Sequence, residues 1–160
     1  FEDLRMEEYE QVDRLMGQLH QVHVEGRPDF FLPLEHPYGR GKYEQLLEDE
    51  NVIALAAKEE GKVRGICFVV MRESSGMVKL RTAYVEDLAV DPDFRRRGLG
   101  KALFLEAKNR AKKLGAERID LMVWGFNEEA RRFYESLGMH VQRYIYEESL
   151  GENAEHADLH

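Results

Sequence analysis

The segment "VEDLAVDPDFRRRGLGKAL", residues 85–103, constrains the fold of this chain more than any other part of the sequence. An apolar run typical of a buried strand ends at Val90, and Pro92 stops the strand because proline cannot donate to a sheet. A helix is predicted to begin near Gly98. The N–H groups of its first turn have no partner within the helix, and the helix dipole favours negative charge at that end. The segment therefore predicts a strand, a short turn and a helix start that faces an anion.

The residues of this turn suit a phosphate or a pyrophosphate. Gly98 and Gly100 lack a Cβ atom, so an anion can approach their backbone closely. Positive charge is supplied by Arg95, Arg96, Arg97 and Lys101. The turn is thus locally basic in a chain whose formal net charge is −8. A glycine-rich turn with a solvated basic face is the alternative interpretation.

Two widespread phosphate-binding loops do not match this turn. A P-loop needs Ser or Thr after its Gly-Lys pair to bind magnesium, and here Ala102 follows Lys101. A dinucleotide-binding loop needs a third glycine, and Leu103 occupies that position. Neither a P-loop nor a dinucleotide-binding loop is therefore predicted.

Apolar periodicity predicts an alternation of helices and strands along the whole chain. Helices are predicted over residues 6–26, 42–50, 98–115 and 127–138. Strands are predicted over residues 2–6, 51–59, 62–73, 78–90, 117–124 and 140–148. Some strands are joined by hairpins and others by helices, so we expect an α/β fold with a mixed, mostly antiparallel sheet flanked by helices. Residues 27–41 hold three of the four prolines and are predicted to form an irregular loop.

Length and composition predict a single intracellular domain. The 160 residues suggest one domain over residues 1–150, followed by a flexible polar tail at 151–160. No apolar run reaches the roughly 18 residues of a membrane span, and the acidic N-terminus does not resemble a signal peptide. The one cysteine, Cys67, cannot form an intrachain disulfide and lies in an apolar run, so we interpret it as a core residue of a cytoplasmic protein.

Two classes of ligand are not favoured by the sequence. A net charge of −8 does not favour nucleic acid, whose partners usually carry a basic field. His20 and His23 lie three residues apart without a third clustered ligand, so no metal site is predicted.

Two ordered motifs resemble the GNAT-type N-acetyltransferases. The strand, the Val-x-Pro sequence and the turn resemble the family's acetyl-CoA signature, with Arg95, Gly98 and Gly100 at its Arg-x-x-Gly-x-Gly positions. Downstream, "NEEARRFYESLGM" is similar to a second family segment, with Asn127 and Tyr134 at its polar positions. The resemblance covers about residues 50–147, and before that it rests on element order alone.

The resemblance implies a fold in which two parallel strands splay apart and hold coenzyme A between them. The backbone of Leu88, Ala89 and Val90 would pair with the pantetheine amides as a missing strand would. The N–H groups of Arg96, Arg97, Gly98, Leu99, Gly100 and Lys101 would hold the pyrophosphate, with the Arg95, Arg96 and Arg97 side chains on the pyrophosphate or the 3′-phosphate. Asn127 would bind the pantetheine arm, although capping its helix is the simpler role.

The resemblance also implies the catalytic groups. Tyr134 would protonate the leaving thiolate, since a phenol with a pKa near about 10 matches a thiol of similar pKa. The segment "YVEDLAV" is similar to the Tyr-hydrophobic-Glu-Asp pattern of polyamine-type acetyltransferases, in which the Glu is a base acting through water. Alternation puts Glu86 and Asp87 on opposite faces, so only one should reach the site unless a bulge intervenes. We predict Glu86 as the base, with Asp87 or water alone as alternatives.

The expected function is transfer of an acetyl group from acetyl-CoA to a primary amine by direct attack, without a metal. The irregular loop is expected to bind the acceptor: Glu25, Asp29 and Glu35 would attract a cation, while Phe30, Phe31 and Tyr38 would form an apolar wall. A small cationic amine is favoured, and a protein N-terminus or lysine is the second possibility. A non-catalytic acyl-CoA-binding module is the alternative from another class. Because the C-terminal region often pairs subunits in this family, a homodimer is also compatible with the sequence.

Overall fold

A computed structural model describes residues 1–73 and 75–151. The described part of the chain divides into two compact units, the first ending at Asn127 and the second beginning at Glu128. The first unit contains the β-sheet. Most of the predicted tail, residues 152–160, lies outside the described residues, and the single domain over residues 1–150 stays a prediction.

The helices and strands of the first unit follow the predicted order. Its helices are α1 (Tyr9–Gly26), α2 (Gly39–Glu48) and α3 (Leu99–Lys113). Its strands are β1 (Glu2–Asp3), β2 (Val52–Glu59), β3 (Lys62–Arg72), β4 (Thr82–Val90) and β5 (Arg118–Leu121). Short 3-10 turns at Met6–Glu8 and Pro92–Phe94 precede α1 and α3. The second unit contains α4 (Glu128–Ser136).

The five strands form one mixed sheet in the order β1-β2-β3-β4-β5. Antiparallel pairing joins β1 to β2, β2 to β3 and β3 to β4, whereas β5 lies parallel to β4. The connection from β4 to β5 passes through α3, as a parallel pair requires. The predicted α/β class and the mixed, mostly antiparallel sheet flanked by helices are confirmed.

Helices cover the sheet because β3 is apolar on both faces. Ile66 and Phe68 are fully buried in a core cluster with residues of α1 and α2. Successive strand residues point to opposite faces, and the intervening Cys67 is also fully buried. Helix α3 buries its own stripe against β2, β3 and β4, with Leu103, Phe104, Ala107 and Ala111. Burial raises the pKa of the Cys67 thiol to about 12, so Cys67 is an unreactive core residue.

A buried ion pair joins the start of the chain to the sheet. Glu8 is 3% exposed, and its carboxylate contacts the ammonium of Lys58 on β2. The same carboxylate accepts a hydrogen bond from the Arg5 N–H, which closes the turn before α1. A carboxylate so deeply buried needs this cation, because an unpaired buried charge is costly.

The C-terminal prediction fails within the second unit. Residues 139–150 form no strand, so the predicted strand over 140–148 is wrong. Val141, Tyr144, Ile145 and Tyr146 are largely exposed. Residues of high β propensity form a stable strand only when a pleated neighbour covers them, and propensity alone does not supply that neighbour.

None of the helices in the described part of the chain has the length and apolar character of a membrane span.

Candidate functional site

The pairing of the two parallel strands, β4 and β5, ends before β4 does. The pairing of β4 with β5 covers Thr82–Val85 against Arg118–Leu121. β5 then ends, three residues short of its predicted end, while β4 continues through Glu86–Val90. These five residues, called the open edge below, have no partner on β5, and Asp87–Val90 pair with β3 on the other side. Leu88, Ala89 and Val90 lie on this edge, where an extended ligand can take the place of a strand.

A β-bulge marks the point where the open edge begins. Phe68 is opposite Asp87 and Val69 is opposite Val85, so Glu86 is an extra residue on β4. A bulge bends its strand and re-aims the side chains beside it. The bulge anticipated as an exception in the alternation of Glu86 and Asp87 is therefore present.

The Arg–Gly turn, residues 95–101, leads from this strand into α3. Gly98 directly precedes the helix with a left-handed φ of 77°, a conformation that favours glycine. Arg96 also has a positive φ, of 65°. Ala102 donates to the Gly98 carbonyl at 3.0 Å, so the amides of Leu99, Gly100 and Lys101 precede the intrahelical pattern. Left-handed residues at a helix start arrange such N–H groups into a concave anion site.

The three arginines of the turn have different surroundings. The Nε of Arg95 donates to the Val90 carbonyl at 3.4 Å and so folds back toward the strand end. Arg97 lies over the ring of Phe94, 4.8 Å from its centroid. Arg96 is exposed to solvent. The sequence did not indicate this division, because three identical side chains carry no signal of direction.

A buried carboxylate, Asp91, fixes the base of the turn. Asp91 is 2% exposed and caps the 3-10 turn by accepting from the Asp93 N–H at 3.1 Å. Its other oxygen accepts from Arg14 of α1 at 3.2 Å and from Arg64 of β3 at 3.4 Å. Hydrogen bonds from the Asp93 N–H and from Arg14 outweigh burial, and the pKa of Asp91 is lowered. Sequence reasoning missed this cluster, although Asp before Pro at a turn was a usable capping signal.

The two carboxylates at the bulge differ in environment. The Glu86 side chain is 40% exposed and lies 3.7 Å from the Arg72 guanidinium. Asp87 is partly buried and accepts a hydrogen bond from the Tyr38 hydroxyl. Burial raises the pKa of Asp87 to about 6, although the Tyr38 hydrogen bond acts in the opposite direction. Burial and the negative charge of Asp87 raise the pKa of the Tyr38 phenol. Tyr38, predicted as part of an apolar wall, is therefore a hydrogen-bond donor to a carboxylate.

The α1–α2 loop, residues 27–38, carries an aromatic cluster. Phe30 and Phe31 lie 5.0 Å and 5.2 Å from the ring of Trp124, which follows β5. His23 stacks on Phe31 at 5.2 Å. Arg27 lies 5.2 Å from the centroid of Trp124. The expected apolar wall from Phe30 and Phe31 is thus packed against the residues beyond β5.

An acidic groove of about 580 Å³ lies between α1 and the same loop. Asp13, Glu25 and Glu35 contribute its carboxylates. Arg14 also lines it, but its guanidinium is bonded to Asp91. Two of the three expected acidic residues therefore line one groove. The third, Asp29, is paired with Arg27 at 2.9 Å.

The remaining predicted site residues lie around α4. Asn127 is the last residue of the first unit, and its N–H donates to the Trp124 carbonyl at 2.9 Å. In the second unit, α4 begins at the next residue and carries Tyr134, whose ring lies 5.0 Å from that of Phe133. The assignments of Asn127 to the pantetheine arm and of Tyr134 to the coenzyme sulfur stay predictions.

The open edge of β4 thus leads through the Arg–Gly turn into the start of α3. The chain matches the model of the Acetyltransferase (GNAT) family over residues 17–139, and it belongs to that family.

Similarity to individual proteins supports the same family. Mycothiol acetyltransferase of Propionibacterium freudenreichii is 30% identical over 142 residues, which cover 88% of this chain and 44% of that protein. A putative ribosomal protein bS18-alanine N-acetyltransferase of Bacillus subtilis is 28% identical over 97 residues, which cover 61% of this chain and 60% of that protein. The chain thus spans less than two thirds of either relative. The crystal structure of a tetramutant of the BH1408 protein from Bacillus halodurans matches with a TM-score of 0.88 and 29% identity, covering 93% of this chain and 98% of that one.

Proposed function

We propose that this protein transfers an acetyl group from acetyl-CoA to a primary amine. The observation that carries the proposal is the continuity of the open edge with the Arg–Gly turn. Coenzyme A has amides along its pantetheine arm and a pyrophosphate at its other end. An unpaired strand edge that leads to free helix N–H groups and three arginines offers partners for both, so the residues fit this coenzyme. When bound, acetyl-CoA supplies the acetyl group as a thioester.

The residues of the site bind the coenzyme, take a proton from the acceptor and protonate the leaving sulfur. Backbone groups of Leu88, Ala89 and Val90 bind the pantetheine, and N–H groups from Arg96 to Lys101 bind the pyrophosphate. A carboxylate at the bulge takes the proton that the acceptor ammonium must lose. The sequence predicts Glu86 in this role, acting through a water molecule. The nitrogen–carbon bond then forms and the carbon–sulfur bond breaks. Tyr134 protonates the departing sulfur, and the second proton lost by the nitrogen restores the phenol.

We further propose that the acceptor is a small cationic amine. The groove beside the α1–α2 loop is lined by three carboxylates and one arginine; Arg14 is paired with Asp91, and Asp13 contacts His36. A negative, partly enclosed surface raises the local concentration of cations. Asp87, at the bulge of β4, is a further carboxylate that is not paired with a cation in the described part of the chain.

A protein N-terminus is the second candidate acceptor. It is favoured by the similarity to a protein named as an alanine N-acetyltransferase of ribosomal protein bS18. An α-amine has a pKa of about 7.8, so it depends less on a general base to lose its proton than an alkyl amine does. A weak dependence on the bulge carboxylates would accompany this acceptor.

The test is thiol release from acetyl-CoA with two panels of acceptors. One panel contains small amines with one to three positive charges, and the other contains peptides with free N-termini or internal lysines. We expect the largest kcat/KM with a small polycation, and a decrease as salt screens the groove. Faster turnover of peptides would replace the small-amine proposal, and binding of acetyl-CoA without thiol release on any acceptor would contradict transferase activity.

A further inference from the structure

Asp87 differs from Glu8 and Asp91, the two most deeply buried carboxylates in the described part of the chain. Glu8 contacts the Lys58 ammonium, and Asp91 accepts from two arginines. Glu86, although more exposed, lies within 3.7 Å of the Arg72 guanidinium. Asp87 has no ion pair there, and its one hydrogen-bond donor is the neutral Tyr38 phenol. A partly buried carboxylate without a cation is costly to keep ionised, unless a cation arrives from outside the chain.

Asp87 lies where the open edge of β4 begins. Asp87 is the first β4 residue after the bulge, where pairing with β5 has already ended. Its register partner is Phe68, so the two side chains share the sheet face that α1 and α2 cover. The Tyr38 ring lies 5.9 Å from Phe68 and reaches the same face from the end of the α1–α2 loop. The pair thus joins the loop that lines the acidic groove to the open edge of β4.

We propose that Asp87 is the group that takes the proton from the acceptor ammonium, and that Tyr38 is a positioning residue that sets the pH at which it can do so. This inference rests on the proposed acetyl transfer to an amine. The ammonium loses one proton to the Asp87 carboxylate, which passes it to solvent, and no other bond changes in this step. Tyr38 keeps its own proton and donates a hydrogen bond to the carboxylate throughout.

The charged groups around Asp87 determine in which direction each substitution shifts the pKa of Asp87. Tyr38 stabilises the ionised carboxylate through its hydrogen bond, whereas the negative charge of Glu86 destabilises it. Cys67 on β3 is held as a neutral thiol by burial and by the Asp87 charge, so it adds no charge of its own. Arg72 lies beyond Glu86 and is paired with it. Loss of the Tyr38 hydroxyl should therefore raise the pKa of Asp87, and loss of the Glu86 charge should lower it.

The experiment is the pH profile of kcat/KM for the best amine at saturating acetyl-CoA. The wild-type profile should have an acid limb with a midpoint near 6, the pKa of Asp87. Tyr38→Phe should move this limb upward by about one pH unit, since a hydrogen bond to a charged group is lost. Glu86→Gln should move it downward. Asp87→Asn should remove the limb and lower the plateau by about 10²-fold or more, the usual loss for a general base.

Tyr43→Phe is the matched control. Tyr43 belongs to the same core cluster and its ring faces Phe68, but its hydroxyl donates to the Arg5 carbonyl at 2.8 Å. Its loss should leave the limb at the wild-type pH. A limb that does not move in Tyr38→Phe, or one that persists in Asp87→Asn, would overturn the proposal. Removal of the limb by Glu86→Gln would do so as well, because Glu86 would then be the base.

A second measurement separates this inference from the proposed function. Carbon-13 NMR of the aspartate carboxyls titrates Asp87 without any acceptor, with Asp87→Asn to assign the signal. A midpoint near 6 that rises in Tyr38→Phe supports the pair, and an unchanged midpoint contradicts it. If wild-type protein acetylates no amine, the proposed function fails. If amines are acetylated while neither the limb nor the NMR midpoint responds to Tyr38→Phe, only the role of the pair fails.

Discussion

The substitution Asp91→Asn should weaken both the fold and coenzyme binding, because Asp91 connects the base of the Arg–Gly turn to α1 and β3. Asparagine can still accept from the Asp93 N–H, as Asp91 does at 3.1 Å. The charge facing Arg14 and Arg64 is lost. A hydrogen bond to a charged group contributes about 1.5–3 kcal/mol, but the half-exposed Arg14 contributes less because water screens it. We therefore expect a loss of about 2 kcal/mol in the free energy of unfolding.

The assay is urea unfolding of the wild type and of Asp91→Asn between pH 3 and pH 8. The pKa of Asp91 is lowered in the folded state, so its stabilisation is complete above the unfolded value of about 3.9 and is lost as pH falls through the folded pKa. The difference between the two proteins should be constant near neutral pH and shrink below about pH 4. Asp93→Asn changes an exposed neighbouring carboxyl and is the control.

The second part of this prediction concerns acetyl-CoA binding, which calorimetry measures. A looser turn should weaken acetyl-CoA binding in Asp91→Asn and leave it unchanged in Asp93→Asn. An unfolding midpoint equal to that of the wild type, or a difference that grows as the pH falls, would refute the assignment of Asp91 to this network.

Three further substitutions test other parts of the structure. Gly98→Glu should abolish acetyl-CoA binding, because it places a side chain and a negative charge at the left-handed position that precedes α3. Calorimetry measures this, with Gly41→Glu, a change at an exposed glycine of α2, as the control. A normal dissociation constant in Gly98→Glu would mean that the turn does not bind the coenzyme. Tyr134→Phe should lower turnover while leaving acetyl-CoA affinity intact, and unchanged thiol release would remove Tyr134 from the acid role. Lys58→Met should cost about 3 kcal/mol in urea unfolding, because the buried Glu8 then keeps only its 3.8 Å contact with the exposed Arg5. A loss smaller than about 1 kcal/mol would mean that the pair with Lys58 does not stabilise the fold.

The parts of the fold that were predictable from the sequence depend on local signals. Pro92 ends β4 and the 3-10 turn begins there, and Gly98 directly precedes α3. Gly115 follows α3 with a left-handed φ of 94°, as a C-terminal cap requires. The strand over 140–148 was not predictable in this way, since strand formation needs a neighbour and propensity does not specify one.

In the candidate site, too, local features were predictable from the sequence and long-range contacts were not. The Arg–Gly turn is one continuous segment, so its residue types were enough to indicate an anion. The contact between Tyr38 and Asp87 spans 49 positions, and that between Arg14 and Asp91 spans 77. No periodicity or spacing rule reaches over such distances. The sequence allowed a bulge at Glu86 and Asp87 only as an exception, because its presence depends on how β3 and β4 align.

Coenzyme A is expected to bind along the open edge of β4, with its pyrophosphate on the Arg–Gly turn. A crystal structure with coenzyme A bound tests this most directly. We expect the pantetheine amides within hydrogen-bond distance of the Leu88–Val90 backbone, and the pyrophosphate oxygens on the N–H groups between Arg96 and Lys101. A coenzyme bound elsewhere, with this turn contacting only solvent, would contradict the account.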